Sequence, residues 1–524
     1  MKSVIKCTVL LLVVGTLAAQ AQVPYPNPIK HVIVVIQENR TPDNLFGANS
    51  PSNQYYIPGA DLAPNNQGQA YNIVNGKKVV TNVPLISIPL ASKYQSVGSV
   101  PKYDYDPSHS HSAFLAMCDY NHTTTCNMDG ANHVTVVCDP NLPPGSNCPP
   151  ANPQFAYVQY KDVAPYFQMA SQYGYANAMF QTNQGESFTA HQFLFAGTSQ
   201  AGQGAFPTWF VSEAPLLNGK QPSGIAVGCI APTAAMAPPL GETVQLIDPN
   251  PPHKESKTMY PCFEHQTLGD LLSSPPSPFQ PFSWKYYTPG PGSLWSAADA
   301  IQHICVPKMG TDGKLACTGS EYAAHIDLNP ADVLKDIKSS GCVLPQVSWV
   351  VPSASMSDHA GSTTANGPSW VSGIVNAIGN NTTCDVTNGK TGYWYDTAII
   401  ITWDDWGGWY DHVPPPKLPA GAPAEAGSFE YGFRVPMVVI SAYTPTGTIS
   451  NVTNDFGSIL KFVEDALGGL GPIDPSYADA FASNDLQEFF NFSMAPKRFQ
   501  KVKAPVPAKV FIDSKAPLEG PDND

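Results

Sequence analysis

Four short apolar runs recur along the chain, and β-branched residues dominate them. They are 31–36 (HVIVVI), 346–351 (QVSWVV), 397–402 (TAIIIT) and 435–441 (VPMVVIS). Runs of this kind are typical of strands buried on both faces, as in a parallel sheet with helices on each side. We therefore predict an α/β fold.

Helical spacing appears between these runs. Residues 331–338 and 370–378 have mixed apolar spacing, and 456–467 carry apolar residues at i, i+3 and i+4 before Gly468-Gly469. Segments 50–160 and 200–300 are loop-rich and hold most of the cysteines, so we expect them to be insertions. No clean linker or repeat divides the chain. We predict one domain over 22–503, with these insertions, and a loosely ordered tail over 504–524.

The first 21 residues have the pattern of a secretory signal. Lys2 and Lys6 precede a short apolar run, 9–17, and Ala19-Gln20-Ala21 matches a cleavage site. A buried N-terminal helix is the alternative. We predict export, to the periplasm or medium, after cleavage near Ala21. No later segment has the roughly 20 apolar residues of a membrane span, so we expect no stable transmembrane anchor.

Charge and cysteine content narrow the class of protein. The net charge is −14, and it becomes −16 without the two lysines of the predicted signal. An acidic chain lacks the basic footprint of a nucleic-acid-binding protein. Ten of the eleven cysteines lie outside the signal, and an even number in an exported chain favours disulfides. Sequence does not fix their connectivity; pairing of sequence neighbours would give 118–126, 138–148, 229–262, 305–317 and 342–384.

Two of the predicted strands end in acidic residues. Glu38-Asn39 follows the first run, and Asp404-Asp405 follows the third. Ligands of open α/β sheets bind beyond the carboxyl ends of the strands, and carboxylate and amide oxygens are hard ligands for divalent ions. Gly407-Gly408 supplies a turn that would let both acids face one ion. Taken alone, each pair fits a helix cap or a surface feature as well.

A candidate nucleophile lies in the segment 184–191 (QGESFTAH). If a helix begins here, Ser187 lies at its N-terminus, where anions are favoured, although serine is also an ordinary N-cap residue. Several histidines occupy polar contexts: His109, His111, His303, His359 and His412. The chain has no P-loop and no H-E-x-x-H, and the serine is not within G-x-S-x-G.

Several strings together resemble a known family. They include 31–47 (HVIVVIQENRTPDNLFG), 185–199 (GESFTAHQFLFAGTS), 397–416 (TAIIITWDDWGGWYDHVPPP) and 432–441 (GFRVPMVVIS). They are similar to the bacterial phosphoesterases that include haemolytic and non-haemolytic phospholipases C and AcpA-like acid phosphatases, relatives of the alkaline phosphatase and sulfatase superfamily. The resemblance implies a three-layer α/β/α sandwich with a mostly parallel central sheet and long insertions.

The resemblance also implies roles for individual residues. Glu38, Asn39, Asp404, Asp405 and Ser187 match the ligands of a divalent metal ion, and Ser187 matches the nucleophile. His109 and His359 match histidines around the phosphoryl group, with His303 as a third. Two departures stand out: Glu186 replaces the usual proline before the nucleophile, and Asp-Asp replaces the Asp-Glu of many phospholipases. The Asp-Asp pair, together with a serine nucleophile, favours the acid-phosphatase side of the family.

The expected function is therefore hydrolysis of phosphate esters through a phosphoseryl intermediate, with phospholipids or small monoesters as substrates. A non-catalytic binding protein on a degenerate hydrolase scaffold is the rival from another class. A sulfatase is disfavoured, because Ser187–His191 lacks the proline and arginine of the C/S-x-P-x-R signature.

Overall fold

The computed structural model describes most of the chain. It covers residues 27–91, 105–120, 125–138, 148–213, 226–233, 243–250, 255–293, 295–362, 364–387, 389–417, 430–515 and 518. The predicted signal, 1–21, lies outside these residues. Within them, none of the helices has the length and apolar character needed to cross a bilayer.

Strands and helices are numbered in chain order. The strands are β1 (His31–Gln37), β2 (Gln67–Val74), β3 (Lys77–Pro84), β4 (Ile86–Ile88), β5 (Tyr105–Pro107), β6 (Val136–Cys138), β7 (Ala156–Val158), β8 (Gly174–Ala176), β9 (Phe210–Glu213), β10 (Val244–Ile247), β11 (Glu255–Met259), β12 (Trp284–Tyr287), β13 (Val306–Met309), β14 (Leu315–Thr318), β15 (Ile326–Asp327), β16 (Val347–Val350), β17 (Val386–Thr387), β18 (Lys390–Thr391), β19 (Thr397–Trp403), β20 (Met437–Ser441) and β21 (Thr448–Ser450). The helices are α1 (Pro42–Phe46), α2 (His111–Cys118), α3 (Tyr160–Gln172), α4 (Ser187–Ala196), α5 (Leu268–Ser273), α6 (Ser320–His325), α7 (Asp332–Lys338), α8 (Gly367–Asn380), α9 (Phe456–Ala466), α10 (Ala478–Phe481) and α11 (Ala508–Asp513).

An eight-stranded sheet forms the centre, in the order β15-β12-β16-β1-β19-β20-β8-β21. Its pairings are parallel except on the two sides of β20, so seven strands share one direction. All four apolar runs form strands here, as predicted. Every residue of β1 and β19 is buried, because both faces of the sheet are covered.

Two groups of helices cover the sheet. On one side α3 and α8 pack together and against the central strands, where the Tyr166 and Trp403 rings meet edge to face with centroids 5.0 Å apart. In the other group α4 packs against α9, and its Phe195 ring lies 5.1 Å from that of Trp349 on β16. The three-layer arrangement with a mostly parallel sheet agrees with the predicted fold class.

The predicted insertions carry several small sheets and three of the five disulfides. The five bonds join Cys118–Cys126, Cys138–Cys148, Cys229–Cys262, Cys305–Cys317 and Cys342–Cys384, which confirms the pairing of sequence neighbours. One element of segment 200–300 does not belong to an insertion, because β12 pairs with β16 in the central sheet. The sequence of β12, WKYY, contains a lysine and no β-branched residue, so it did not stand out from a loop.

The C-terminal segment contains more order than its composition indicates. Residues 508–513 form α11, which packs on α7 and α8. Phe511 is buried, and its ring meets that of Trp370 with centroids 5.4 Å apart. A single large aromatic residue anchors a segment that is otherwise rich in proline and lysine.

A buried pair of acids between α9 and α10 predicts how stability depends on pH. Glu464 and Asp479 are only 3% and 1% exposed, and burial together with the Asp479 charge raises the pKa of Glu464 to about 10. The folded chain thus holds a proton that the unfolded chain releases above about pH 4.3. The contribution of Glu464 to the free energy of unfolding is therefore fully present at acidic pH and is lost as the pH rises toward 10.

The variant Glu464→Gln, which cannot ionise, should therefore gain melting temperature relative to the wild type as pH rises from about 5 to about 9. Thermal unfolding across that range measures the difference. Glu321→Gln is the control, because that side chain is 42% exposed, and it should track the wild type. Parallel curves for Glu464→Gln and the wild type would show that Glu464 is ionised in the folded chain.

Candidate active site

Two adjacent strand ends bring the predicted acidic pairs together. Gln37 and Trp403, the last residues of β1 and β19, are register partners, so Glu38-Asn39 and Asp404-Asp405 leave the sheet side by side. All four side chains have no exposed surface. The Asn39 backbone N–H donates to Asp404 Oδ1 over 3.1 Å, which ties the two strand ends directly.

The turn after β19 depends on glycine. Gly407 and Gly408 have φ of +62° and +68°, in the left-handed region. The Gly407 N–H donates to Asp405 Oδ1 over 2.7 Å, and a Cβ on Gly407 would lie 2.4 Å from the Asn39 carbonyl oxygen. The turn therefore orients Asp405 while the backbone passes close to Asn39.

Ser187 is the first residue of α4, as the sequence predicted for a helix starting here. Its hydroxyl donates to Asp405 Oδ2 over 2.9 Å and lies 3.4 Å from the Asn39 amide. Glu186, the residue that departs from the family pattern, is the N-cap and is buried rather than directed outward. The serine oxygen thus lies at a helix N-terminus, where developing negative charge is stabilised.

His109 and His359 both approach the same end of the Asn39 side-chain amide. The Nδ1 atoms contact backbone carbonyls, Pro107 O at 3.1 Å and Ala360 O at 2.6 Å, so each Nδ1 carries a hydrogen. The Nε2 atoms lie 3.0 Å and 2.9 Å from one end of the Asn39 amide. Each Nε2 is therefore the atom that can exchange a proton at the centre.

The surroundings of the Asn39 amide indicate whether the oxygen atoms of the centre could bind a cation. Its other end lies 3.2 Å from Glu38 Oε2 and 3.1 Å from Asp404 Oδ1. Hydrogen bonding alone would favour the amide nitrogen on the carboxylate side. A divalent cation would favour the amide oxygen there, as one more hard ligand beside the carboxylates and the serine hydroxyl. These oxygen donors fit a divalent cation.

Burial dominates the electrostatics of the centre. Loss of hydration, with the neighbouring Asp404 charge, raises the pKa of Asp405 to about 8, although His109 opposes the shift.

Arg40 fixes the loop that carries His359. It donates to the backbone oxygen of Asp358 through Nε at 2.8 Å and Nη2 at 2.6 Å. Arg40 therefore holds the loop that carries His359 against the end of β1.

One residue of the centre escaped prediction from the sequence. His191 has no exposed surface, and its Nε2 lies 3.4 Å from Glu38 Oε1 and 3.6 Å from Asp404 Oδ2. Burial lowers its pKa to about 4, so the ring is neutral at neutral pH. The available signal was spacing: His191 follows Ser187 by four residues, which places both on one face of a helix.

Two histidines singled out in the sequence lie elsewhere. His303, a proposed third phosphoryl contact, bonds to Glu264 at 2.7 Å and Asp270 at 3.0 Å, and the Asp270 bond above all raises its pKa to about 9. Among the described residues its partners are these acids rather than any member of the centre. His111 contacts Glu255 at 2.7 Å.

His412 belongs to a buried charge network that orders the loop after β19. It contacts Asp43 at 2.8 Å and Asp61 at 3.2 Å. Arg434 donates to both oxygens of Asp411 at 3.0 Å and lies 3.5 Å from Asp43. The string YDHVPPP therefore fixes its loop to α1 through charge rather than through direct contact with Ser187.

Comparison with models of protein families identifies the family of this chain. The family model described as the Phosphoesterase family matches residues 29–468. That span contains both acidic pairs, Ser187 and the two facing histidines. The chain belongs to the phosphoesterase family.

Curated relatives carry phospholipase names. The chain is 31% identical to Phospholipase C B of Mycobacterium tuberculosis over 44% of this chain and 47% of that one, and 30% identical to its Phospholipase C A over 32% and 33%. It is 33% identical to the Non-hemolytic phospholipase C of Burkholderia pseudomallei over 34% and 27%. The matches thus span less than half of each relative. A solved alkaline phosphatase superfamily protein from Vibrio parahaemolyticus is 10% identical over 59% of this chain and 63% of that one, with a TM-score of 0.30.

The Arg434 network yields a prediction about stability. Arg434, Asp43 and Asp411 have no exposed side-chain surface, so Arg434→Met leaves two buried carboxylates without their cation. We expect a loss of about 3–5 kcal/mol in the free energy of unfolding, measured by urea denaturation. Lys285→Met is the control: Lys285 pairs with Asp336 but is 30% exposed, and should cost about 1 kcal/mol or less. Equal losses in the two variants would mean that water reaches the Arg434 network.

Proposed function

We propose that this chain is an exported, metal-dependent phosphoesterase that uses Ser187 as its nucleophile. The observation that carries the proposal is the hydrogen bond of 2.9 Å from Ser187 Oγ to Asp405, made at a helix N-terminus. Two imidazole Nε2 atoms reach the same Asn39 that the serine approaches. Family membership and the phospholipase relatives support hydrolysis of phosphoric esters as the reaction.

The cation would be held by Glu38, Asn39, Asp404, Asp405 and the Ser187 hydroxyl. A bound divalent ion lowers the pKa of an adjacent hydroxyl and neutralises charge on phosphoryl oxygens. The chain supplies a water-poor position for it, since none of the four strand-end side chains is exposed. Asp405 also accepts the serine hydrogen, which places a proton acceptor at the nucleophile.

In the first step, Ser187 Oγ attacks phosphorus as its proton passes to Asp405 Oδ2. The Oγ–P bond forms and the bond from phosphorus to the leaving oxygen breaks. A protonated imidazole, of His109 or His359, gives its Nε2 proton to the leaving alkoxide. The hydrogen bonds from Nδ1 to backbone carbonyls keep each Nε2 directed inward during this transfer.

In the second step, the neutral imidazole takes a proton from water as the water oxygen attacks phosphorus. The P–Oγ bond breaks, phosphate (from a monoester) or a phosphomonoester (from a diester) leaves, and Asp405 returns the proton to Ser187. Both steps build negative charge on the serine oxygen or on phosphoryl oxygens. The N-terminus of α4 faces that charge, so one helix stabilises the transition states of both steps.

Two substrate classes remain for experiment. The relatives' names favour the phosphodiester of a phospholipid, while the Asp404-Asp405 pair and serine nucleophile resemble acid phosphatases. Phosphatidylcholine, a soluble phosphodiester and p-nitrophenyl phosphate, compared on one preparation, separate the two. Five disulfides and the leader pattern support export. Absence of turnover on every ester would favour the rival binding protein.

Replacing the nucleophile tests the reaction. Ser187→Ala should lower kcat on the best ester by at least about 10³-fold, because the covalent step is lost. Mass spectrometry of acid-quenched wild-type reactions should find phosphate on the peptide containing Ser187. Ser320→Ala is the matched control, since Ser320 is also the first residue of a helix but is exposed. Near-wild-type turnover of Ser187→Ala rejects the serine as nucleophile.

Cation affinity should depend on pH through Asp405. The cation-free centre holds a proton on Asp405 below about pH 8, and a cation must displace it. Affinity should therefore rise with pH up to that value and level off above it. Calorimetry in buffers of different ionisation enthalpy counts the released proton. Asp405→Asn should bind more weakly and with a flatter profile. A wild-type profile without slope would mean that Asp405 is already ionised.

A further inference from the structure

We propose that His191 Nε2 is a ligand of the cation held by Glu38 and Asp404, and that this nitrogen makes the centre prefer transition-metal dications to Mg²⁺ and Ca²⁺. The inference rests on the cation site of the proposed function and adds to it a residue and a class of metal.

The separations around His191 match a shared cation better than hydrogen bonds. Nε2 lies 3.4 Å from Glu38 Oε1 and 3.6 Å from Asp404 Oδ2, beyond the usual range of a hydrogen bond. Nitrogen and oxygen donors about 2.0–2.2 Å from one ion lie roughly 3.0–3.5 Å apart, closer together in a six-coordinate shell than in a tetrahedral one. The three donor atoms all fall within 4.8 Å of one another.

The imidazole has no other role among the described residues. Neither ring nitrogen of His191 finds a hydrogen-bond partner there, and Asp404 Oδ2 also lacks one. A buried imidazole without partners is costly, and at His191 the unpartnered nitrogen lies beside two carboxylates. Binding a cation through the neutral ring would satisfy Nε2 and the carboxylate oxygen at once.

The helix holds His191 in this position. All ten residues of α4 are buried, so the helix cannot turn to present another face. Its first turn directs Ser187 to Asp405, and its second directs His191 to Asp404. Asp404 in turn is fixed by the bond from Asn39 N to Oδ1, which leaves Oδ2 for the histidine side.

A nitrogen ligand changes which metal the centre prefers. Mg²⁺ and Ca²⁺ take oxygen donors almost exclusively, whereas imidazole suits Zn²⁺ and other first-row transition metals. The remaining proposed donors are all oxygens. His191 is therefore the residue that would separate the two classes of ion.

The test measures binding to the chelator-stripped full chain by calorimetry with Zn²⁺, Mn²⁺, Mg²⁺ and Ca²⁺, each alone. His191→Gln should weaken Zn²⁺ binding by about 10–100-fold or more, while Ca²⁺ binding changes by less than about threefold. Pulsed electron paramagnetic resonance of the Cu²⁺-loaded wild type should show a coordinated imidazole, and the variant should lose that signal. His191→Asn repeats the test with a smaller side chain if the first variant does not fold.

His265→Gln is the matched control. His265 is also buried, and neither of its ring nitrogens has a hydrogen-bond partner in the described chain, but it lies beside Tyr477 rather than at the centre. It should keep wild-type metal preference and the imidazole signal. Failure of the wild type to bind any of the four ions would overturn the proposed cation site. Tight binding with an unchanged Zn²⁺ to Ca²⁺ ratio and signal in folded His191 variants would overturn only the ligand assignment.

Discussion

Burial of three carboxylates at two adjacent strand ends is the constraint around which the rest of this structure is organised. Glu38, Asp404 and Asp405 have no exposed surface, and charges in such a place are strongly disfavoured unless they are paired. Within the described part of the chain, Asp404 and Asp405 lie at ion-pair distance from the imidazoles of His191 and His109. Protonation relieves part of the cost, as the raised pKa of Asp405 shows. A divalent cation would relieve more of it.

The surroundings of the centre are rigid, and the rigidity comes from charge as well as packing. Arg434 holds the loop after β19 through Asp411, and Arg40 holds the His359 loop through the Asp358 carbonyl. Both arginines are buried, and these bonds organise the loops without neutralising Asp404 or Asp405. The fold thus keeps a concentrated negative site intact by placing buried cations on the supporting loops.

Much of this arrangement could be predicted from sequence, because β1 and β19 are long, β-branched and buried on both faces. Acids directly after such strands must meet if the strands are neighbours, and the family resemblance joined them to Ser187, His109 and His359. The short strands β8, β12, β15 and β21 left no periodic signal, and nothing in the chain marked β20 as antiparallel. The sequence did not indicate the partners of His303, which are Glu264 and Asp270 in the described chain.

His191 was missed for a different reason. In the sequence, His191 looks like an ordinary residue that follows the nucleophile. In the helix, a residue four positions after Ser187 lies on the same face as Ser187 and therefore beside it. Three buried carboxylates in a chain of net charge −14 repel an anionic phosphate ester, and local positive charge weakens that repulsion. The imidazoles of His109 and His359 lie at one end of the Asn39 amide, and the carboxylates of Glu38 and Asp404 lie at the other. Under the proposed function, the cation then helps to bind substrate as well as to activate the serine, and any residue that sets cation affinity also affects substrate affinity.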